Sequence, residues 1–136
     1  MPQAPLPDDV AALLARPNHA VMATVRPDGA PVTVATWYLL EDDGRVLLNL
    51  DAGRARLKHL RANPHVALTA LAGDDWYTHV SVQGRVVDIH DDVDLVDIDR
   101  LARHYTGNPY RVRDRARVSV LVEVDRWHGW GAAQAD

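Results

Sequence analysis

No cysteine occurs among the 136 residues, which excludes a disulfide framework, a thiolate nucleophile and iron–sulfur ligation. The absence fits a reducing cytosol, and a cytoplasmic protein is the expectation. Lysine is nearly missing as well, since Lys58 stands alone against fourteen arginines. There is no run of about 18 apolar residues, and the first residues, Met-Pro-Gln-Ala-Pro-Leu-Pro-Asp-Asp, lack a basic region followed by an apolar core. Neither a membrane span nor a secretion signal is therefore expected. No Gly-x-Ser-x-Gly elbow, no catalytic carboxylate pair and no His-x-x-x-His pair among the seven histidines can be found, so no metal and no nucleophilic residue is expected. A net charge of −4 and a pI near 5.9 argue against nucleic acid, whose backbone is bound by large positive fields.

What is present suits one domain over residues 1–136, with 47% hydrophobic residues to build its core. The lone lysine lies in Arg54-Ala-Arg-Leu-Lys-His-Leu-Arg61, directly after the apolar run Val46-Leu47-Leu48-Asn49-Leu50. At helical spacing Arg54, Lys58 and Arg61 fall within roughly 60° of one another, with Leu57 and Leu60 forming an adjoining apolar stripe. Asp51 and Gly53 supply capping or turn chemistry, and Pro64 ends the helix at Asn63. A strand, a tight turn and a basic helix in that order can surround an anion with backbone N–H groups, a helix dipole and cations. The competing reading is a solvated basic face. With the basic cluster local and the whole chain acidic, the anion would be small.

Residues 2–7, rich in proline, are expected to be disordered or draped, followed by a short helix to Leu14–Ala15 that Pro17 terminates. Alternation and turn residues place strands at His19–Val25, Pro31–Leu40, 45–50, Val66–Leu71, Thr78–His90 and Arg117–Val124. Between the last two, Asp91 or Asp92 caps a helix whose Leu95, Ile98, Leu101, Ala102 and Tyr105 share one face and which stops at Gly107-Asn-Pro109. Six antiparallel strands with short turns and small flanking helices predict a closed or nearly closed β-barrel. The tail Trp127-His-Gly-Trp130 suits either burial at a subunit interface or packing on its own core.

Other constellations carry bland readings. Asp92, Asp94, Asp97 and Asp99 lack the glycine and terminal glutamate of a calcium loop and read as a solvated helix face. Arg111, Arg113, Arg115 and Arg117 would share one face if extended, either holding a polyanionic tail or protecting a sheet edge. Tyr38, Tyr77 and His79 are conceivable proton donors, though strand tyrosines usually pack.

Three segments in order, Val21-Met-Ala-Thr-Val-Arg-Pro-Asp-Gly-Ala-Pro31, Asn49-Leu-Asp-Ala-Gly-Arg-Ala-Arg-Leu-Lys-His-Leu-Arg-Ala-Asn-Pro64 and Trp76-Tyr-Thr-His-Val-Ser-Val-Gln-Gly84, resemble the pyridoxamine-phosphate-oxidase-like superfamily. Within it, the chain is most similar to an actinobacterial branch of deazaflavin-dependent reductases. The resemblance implies a six-stranded split β-barrel of Greek-key type, a homodimer, and two equivalent cofactor clefts that each draw on both chains. It places Asn49, Leu50 and Asp51 in the loop beside the cofactor phosphate, which continues to Gly53. Arg54, Arg56 and Lys58 would grip that phosphate. Thr33, Val34, Ala35 and Thr36 would lie along the ring, and Trp76, Tyr77, Thr78 and His79 would approach from the partner. Where several members carry glutamine or asparagine on the second strand, this chain has Val32 and Ala35.

The implied cofactor is coenzyme F420, with FMN as the alternative, and the implied partner is a small-molecule substrate. In hydride transfer the ring carbon does the chemistry, so the protein has to position substrate and exclude water, and no side-chain acid is indispensable. An F420-dependent oxidoreductase acting on an unsaturated small molecule is the leading expectation. An FMN-dependent oxidase or reductase and a non-catalytic cofactor-binding protein are the alternatives. Pyridoxamine-phosphate oxidation itself is disfavoured, because the chain is short and the family's substrate-phosphate motif is not found near its end.

Overall fold

The computed structural model describes residues 1–133. Its strands are β1 (His19–Val25), β2 (Pro31–Thr36), β3 (Leu39–Leu40), β4 (Val46–Asp51), β5 (His65–Ala72), β6 (Asp75–Asp91) and β7 (Arg117–Trp130). The helices are α1 (Asp8–Leu14), α2 (Ala55–Ala62) and α3 (Val96–Thr106). All strand pairs are antiparallel, in the order β2-β1-β5-β6-β7-β4-β3. This is a mostly β split barrel with short flanking helices.

Seven strands replace the six expected, because the second stretch does not run through to Leu40. It breaks at Trp37 and Tyr38, where the fully buried Tyr38 Oη donates to the Leu14 carbonyl at 2.6 Å and accepts from Asn18 Nδ2 at 2.9 Å. A phenol drawn into the core must have its hydroxyl satisfied, and these bonds do so. The break sends β2 and β3 to opposite edges of the sheet order, which is where the barrel is split.

The long β6 and β7 join the two halves. The first part of β6 pairs with β5, while the first part of β7 pairs with β4. Between them the register slips twice: Gln83 faces Arg126 whereas Gly84 faces Val124, and Val86 faces Val122 whereas Asp88 faces Leu121. Asp125 and Val87 are thus the extra residues of two bulges, which bend and twist strands. At the first, a Cβ on Gly84 would collide with the Glu123 carbonyl, so close approach of the backbones requires glycine there.

The core joins Leu14 of α1, Met22, Leu48, Leu50, Val80, Val120 and Val122 of the sheet, and Leu57 and Leu60 of α2. Each such side chain contributes about 1.5–3 kcal/mol by leaving water. The closing strand extends past Val124 to Trp130, and its two tryptophans divide the roles considered for the tail. Trp127 is buried, while Trp130 is 48% exposed. The N-terminal arm, expected to be disordered or draped, is draped: Ala4 N donates to the Asp125 carbonyl at 2.9 Å, and Trp127 N to the Pro2 carbonyl at 3.0 Å.

The segment from residue 107 to 116 is irregular, so the alternating arginines do not form a strand face. Arg113 instead pairs with Asp99 at 2.6 Å and Arg115 with Asp51 at 2.6 Å, while Arg117 opens β7. No helix of the described residues is long and apolar enough to cross a membrane.

Candidate functional site

A cavity of about 650 Å³ opens between the β1–β2 edge and α3. His19 and Ala20 come from β1, Ala35 and Thr36 from β2, Asn49 from β4 and Arg56 from α2. Ile98, Leu101, Tyr105 and Thr106 of α3 form the opposite wall, with Trp37, Tyr110 and Arg117 completing it. The size lies within the range of small-molecule and cofactor sites. α3 presents this wall because Ile98, Leu101 and Ala102 are buried on one stripe, and Gly107 ends it at φ 80°.

One end of the cavity is aromatic. Trp37 stacks on Tyr105 with centroids 5.3 Å apart at 11°, and Tyr110 meets Trp37 edge-on at 6.3 Å. Tyr105 Oη donates to the Asn18 carbonyl at 2.7 Å, and burial pushes its pKa up to about 12. It therefore serves as a neutral flat surface. Burial raises the Tyr38 hydroxyl too, and that group sits in the core, which removes Tyr38 as a proton donor.

The other end is cationic. Arg56 Nε is buried without a hydrogen-bond partner among the described residues. Burial, followed by the neighbouring Arg54 and Arg117 charges, lowers the Arg56 pKa. Arg117 has no carboxylate partner among the described residues: its Nε donates to Asn49 Oδ1 at 2.6 Å, and its guanidinium lies 4.9 Å from the centroid of the Tyr110 ring. A buried donor left unpaired costs about 1–3 kcal/mol, and like charges brought together add to that cost. Both costs fall when an anion enters. The donor set therefore fits a phosphate-bearing cofactor.

Beside it, Asp51 is the turn residue of the loop before α2. Its Oδ1 accepts Gly53 N at 3.0 Å and its Oδ2 pairs with Arg115. The Gly53 N–H first, and Arg115 second among the groups that lower it, hold the carboxyl below the ordinary carboxylate range. No side chain caps α2 at Arg54.

Of the residues singled out in the sequence, Ala35, Thr36, Asn49, Arg56 and Arg117 line the cavity together. Leu50 is buried in the core and paired with Val118 of β7, so it does not face the cavity. Arg54 and Lys58 are exposed, and their side chains make no hydrogen bond or ion pair among the described residues; neither lines the cavity, because Arg56 is turned about 200° from each of them on a helix. Thr33 is exposed on β2, and Val34 packs against the core. Trp76 and Tyr77 stand 67% and 62% exposed at the start of β6, outside the cavity. Thr78 is buried, donating to Asp75 Oδ2 at 2.8 Å and accepting from Ala132 N at 3.2 Å. His79 pairs across the sheet with Leu71 and Trp130.

Sequence reasoning did not anticipate Trp37, Tyr110 or His19 as lining groups. Only the amphipathic pattern of α3 was available as a signal for that wall.

Residues 6–131 match the family model described as Pyridoxamine 5'-phosphate oxidase. Among solved structures, an F420 reductase is similar at a TM-score of 0.80 and 29% identity, over 90% of this chain and 98% of that one. A conserved hypothetical protein from Mycobacterium tuberculosis has a TM-score of 0.69 at 24% identity, covering 95% of this chain and 91% of its own. General Stress Protein 26 from Bacillus anthracis reaches 0.67 at 16%, over 90% and 92%. At those identities the last two bear on the fold alone. No curated protein matches the chain.

Proposed function

The chain belongs to the pyridoxamine 5'-phosphate oxidase family, and from that premise we propose that it is an F420-dependent oxidoreductase, working as a homodimer on an unsaturated small molecule. Membership and the likeness to an F420 reductase together support a flavin- or deazaflavin-related oxidoreductase. The observation that carries the reading to this site is the buried, unpaired Arg56 Nε beside Arg117 in a cavity of cofactor size.

In this reading Arg56 binds the cofactor phosphate, with the exposed Arg54 and Lys58 adding attraction from the solvent side. Asn49, Leu50 and Asp51 shape the loop beneath it. Thr33, Val34 and Thr36 lie on the strand that flanks the ring. Trp37, held flat by Tyr105, gives a planar aromatic surface, and α3 keeps water from that side. A deazaflavin, when bound, supplies two-electron hydride chemistry, which leaves the protein to orient its reactants.

The partner subunit is assigned to the outer face of β2-β1-β5-β6. Cross-strand rows there run Ala35, Val21, Thr69, Ser81 and Thr33, Ala23, Ala67, Gln83. Mostly small side chains, half apolar and half uncharged polar, make that face flat enough to meet a second copy. Trp76, Tyr77, Thr78 and His79 belong to the end of β6 beside it, from which the partner would reach the cleft.

Paired fluorescence titrations of the purified chain with F420 and with FMN at matched ionic strength test the reading. Preference for F420 is expected. Preference for FMN would move the chemistry to oxygen-coupled turnover, and binding of neither would remove the oxidoreductase reading.

A further inference from the structure

Asn49 is the residue of the cavity whose bonding is most completely determined. Its Nδ2 donates to Asp92 Oδ2 at 3.0 Å and to Ser119 Oγ at 3.1 Å, while its Oδ1 accepts from Arg117 Nε at 2.6 Å. Both amide hydrogens are thus committed within the protein, and a flipped amide would set oxygen against a carboxylate and N–H against a guanidinium. Asn49 has no donor left for a ligand.

Beyond it, the chain of bonds continues to α3. Asp92, buried, accepts from Asp97 N at 2.9 Å through Oδ1 and from Ile98 N at 2.9 Å through Oδ2. Ser119 Oγ donates to Asp97 Oδ2 at 2.7 Å. Asp92 N in turn donates to the Arg117 carbonyl at 2.9 Å. This set of bonds fixes the start of α3 just after Asp94 and Leu95, both left-handed at φ 58° and 57°. Non-glycine residues stay in that region when their surroundings over-determine them.

We propose that Arg117 is an anion-binding residue of the cavity, and that Asn49 is its positioning residue, linking it through Asp92 to the α3 wall. The proposal rests on reading the cavity as an anion site. Asn49 holds the guanidinium by Nε, with Nη2 weakly toward its own carbonyl at 3.4 Å and Nη1 toward Tyr110 Oη at 3.4 Å. Those long contacts leave the Nη donors available to an incoming anion, which a bidentate carboxylate partner would not. Anion binding and the seating of α3 are then coupled, because one amide serves both.

The test uses the full-length chain and the Arg117 Nε–H NMR resonance, titrated separately with inorganic pyrophosphate, FMN and F420, alongside a binding cycle of Asn49→Ala, Arg117→Ala and the double variant. A protected resonance that shifts with anion is expected. Arg117→Ala should weaken binding on the order of tenfold or more, the size of a lost charge-assisted bond. Asn49→Ala should weaken it comparably in the wild-type background, yet by less than about twofold when Arg117 is already gone, which is the mark of coupled residues. Additive losses would overturn the positioning role, since a merely structural Asn49 would cost the same in both backgrounds. Should Asn49→Ala not fold, Ser119→Ala and Asp92→Asn replace it under the same criterion. Pyrophosphate shifting Arg117 while FMN and F420 do not bind would uphold the inference and remove the proposed redox function. FMN or F420 binding without moving Arg117, or no anion moving it at all, would overturn the inference.

Discussion

Arg115 Nε and Asp51 Oδ2 meet at 2.6 Å on the loop that leads into α2. The pair neutralises a carboxylate beside the proposed anion site. Replacing Arg115 with alanine should leave Asp51 ionised and unpaired, weakening anion binding about three- to tenfold by repulsion at the protein surface. The double variant Arg115→Ala with Asp51→Asn should recover wild-type affinity, as asparagine keeps an oxygen for Gly53 N–H. Calorimetric titration of all three proteins checks it; an unrecovered double variant would locate the effect elsewhere.

Arg56 combines a buried donor with two cationic neighbours, an arrangement expected to lower stability where the residue is proposed to serve binding. Arg56→Met should raise the unfolding free energy of the unliganded chain by about 1 kcal/mol, because the unpaired donor is gone and the stem is replaced by apolar volume. The same change should cost cofactor affinity about 1.5–3 kcal/mol. Lys58→Ala, made at an exposed position, should leave stability unchanged and cost less affinity than Arg56→Met. Urea melts read with cofactor titrations decide both, and the reverse order would make Lys58 the stronger phosphate ligand.

His90 lies between Asp88, 2.8 Å from Nδ1, and Asp97, 3.5 Å from Nε2. The bond to Asp88 is the chief cause that raises its pKa above the ordinary 6.5, and Asp97 adds to it. The protonated form is favoured by folding. That contribution is complete below the unfolded value and disappears as pH rises through the higher folded one. Thermal stability should therefore decline from about pH 6 to about pH 8 by an amount that His90→Gln abolishes, and an NMR titration of His90 should give a midpoint above that of an unfolded peptide. A midpoint below it would reverse the sign.

How far residues announced this architecture depends on whether periodicity survives. Leu57 and Leu60 are buried as their helical spacing requires, and the Pro27-Asp28-Gly29 turn between β1 and β2 fixes that hairpin. Alternation along β7 runs cleanly through Val118, Val120, Val122 and Val124, then fails at Asp125, because the bulge there reverses which face each residue takes. Trp127 is carried inside by that reversal, and no local pattern records it. Likewise the proposed anion site was legible as far as its cations, those of α2 and Arg117, but a helical wheel cannot say that Arg56, not Lys58, turns toward a cavity whose other walls come from α3, β1 and β2. Contacts such as Arg117 to Asn49, 68 positions apart, exist only in the folded sheet.

Ala23 and Ala67 face each other across β1 and β5, and Ala67 faces Gln83 across β6, at the centre of the outer face assigned to a second copy. A charged side chain introduced there would be buried unpaired in a dimer, a cost far above that of the same change on an open surface. Ala67→Arg should therefore convert the protein to a monomer in sedimentation analysis while leaving its circular dichroism spectrum intact. Because the partner is proposed to supply Trp76, Tyr77 and His79 to the cleft, the monomer should also bind cofactor more weakly, and the same concentration of cofactor should raise its melting temperature less. A monomeric Ala67→Arg variant with full affinity would confine the site to one chain, and a variant that stays dimeric would place the interface on another face.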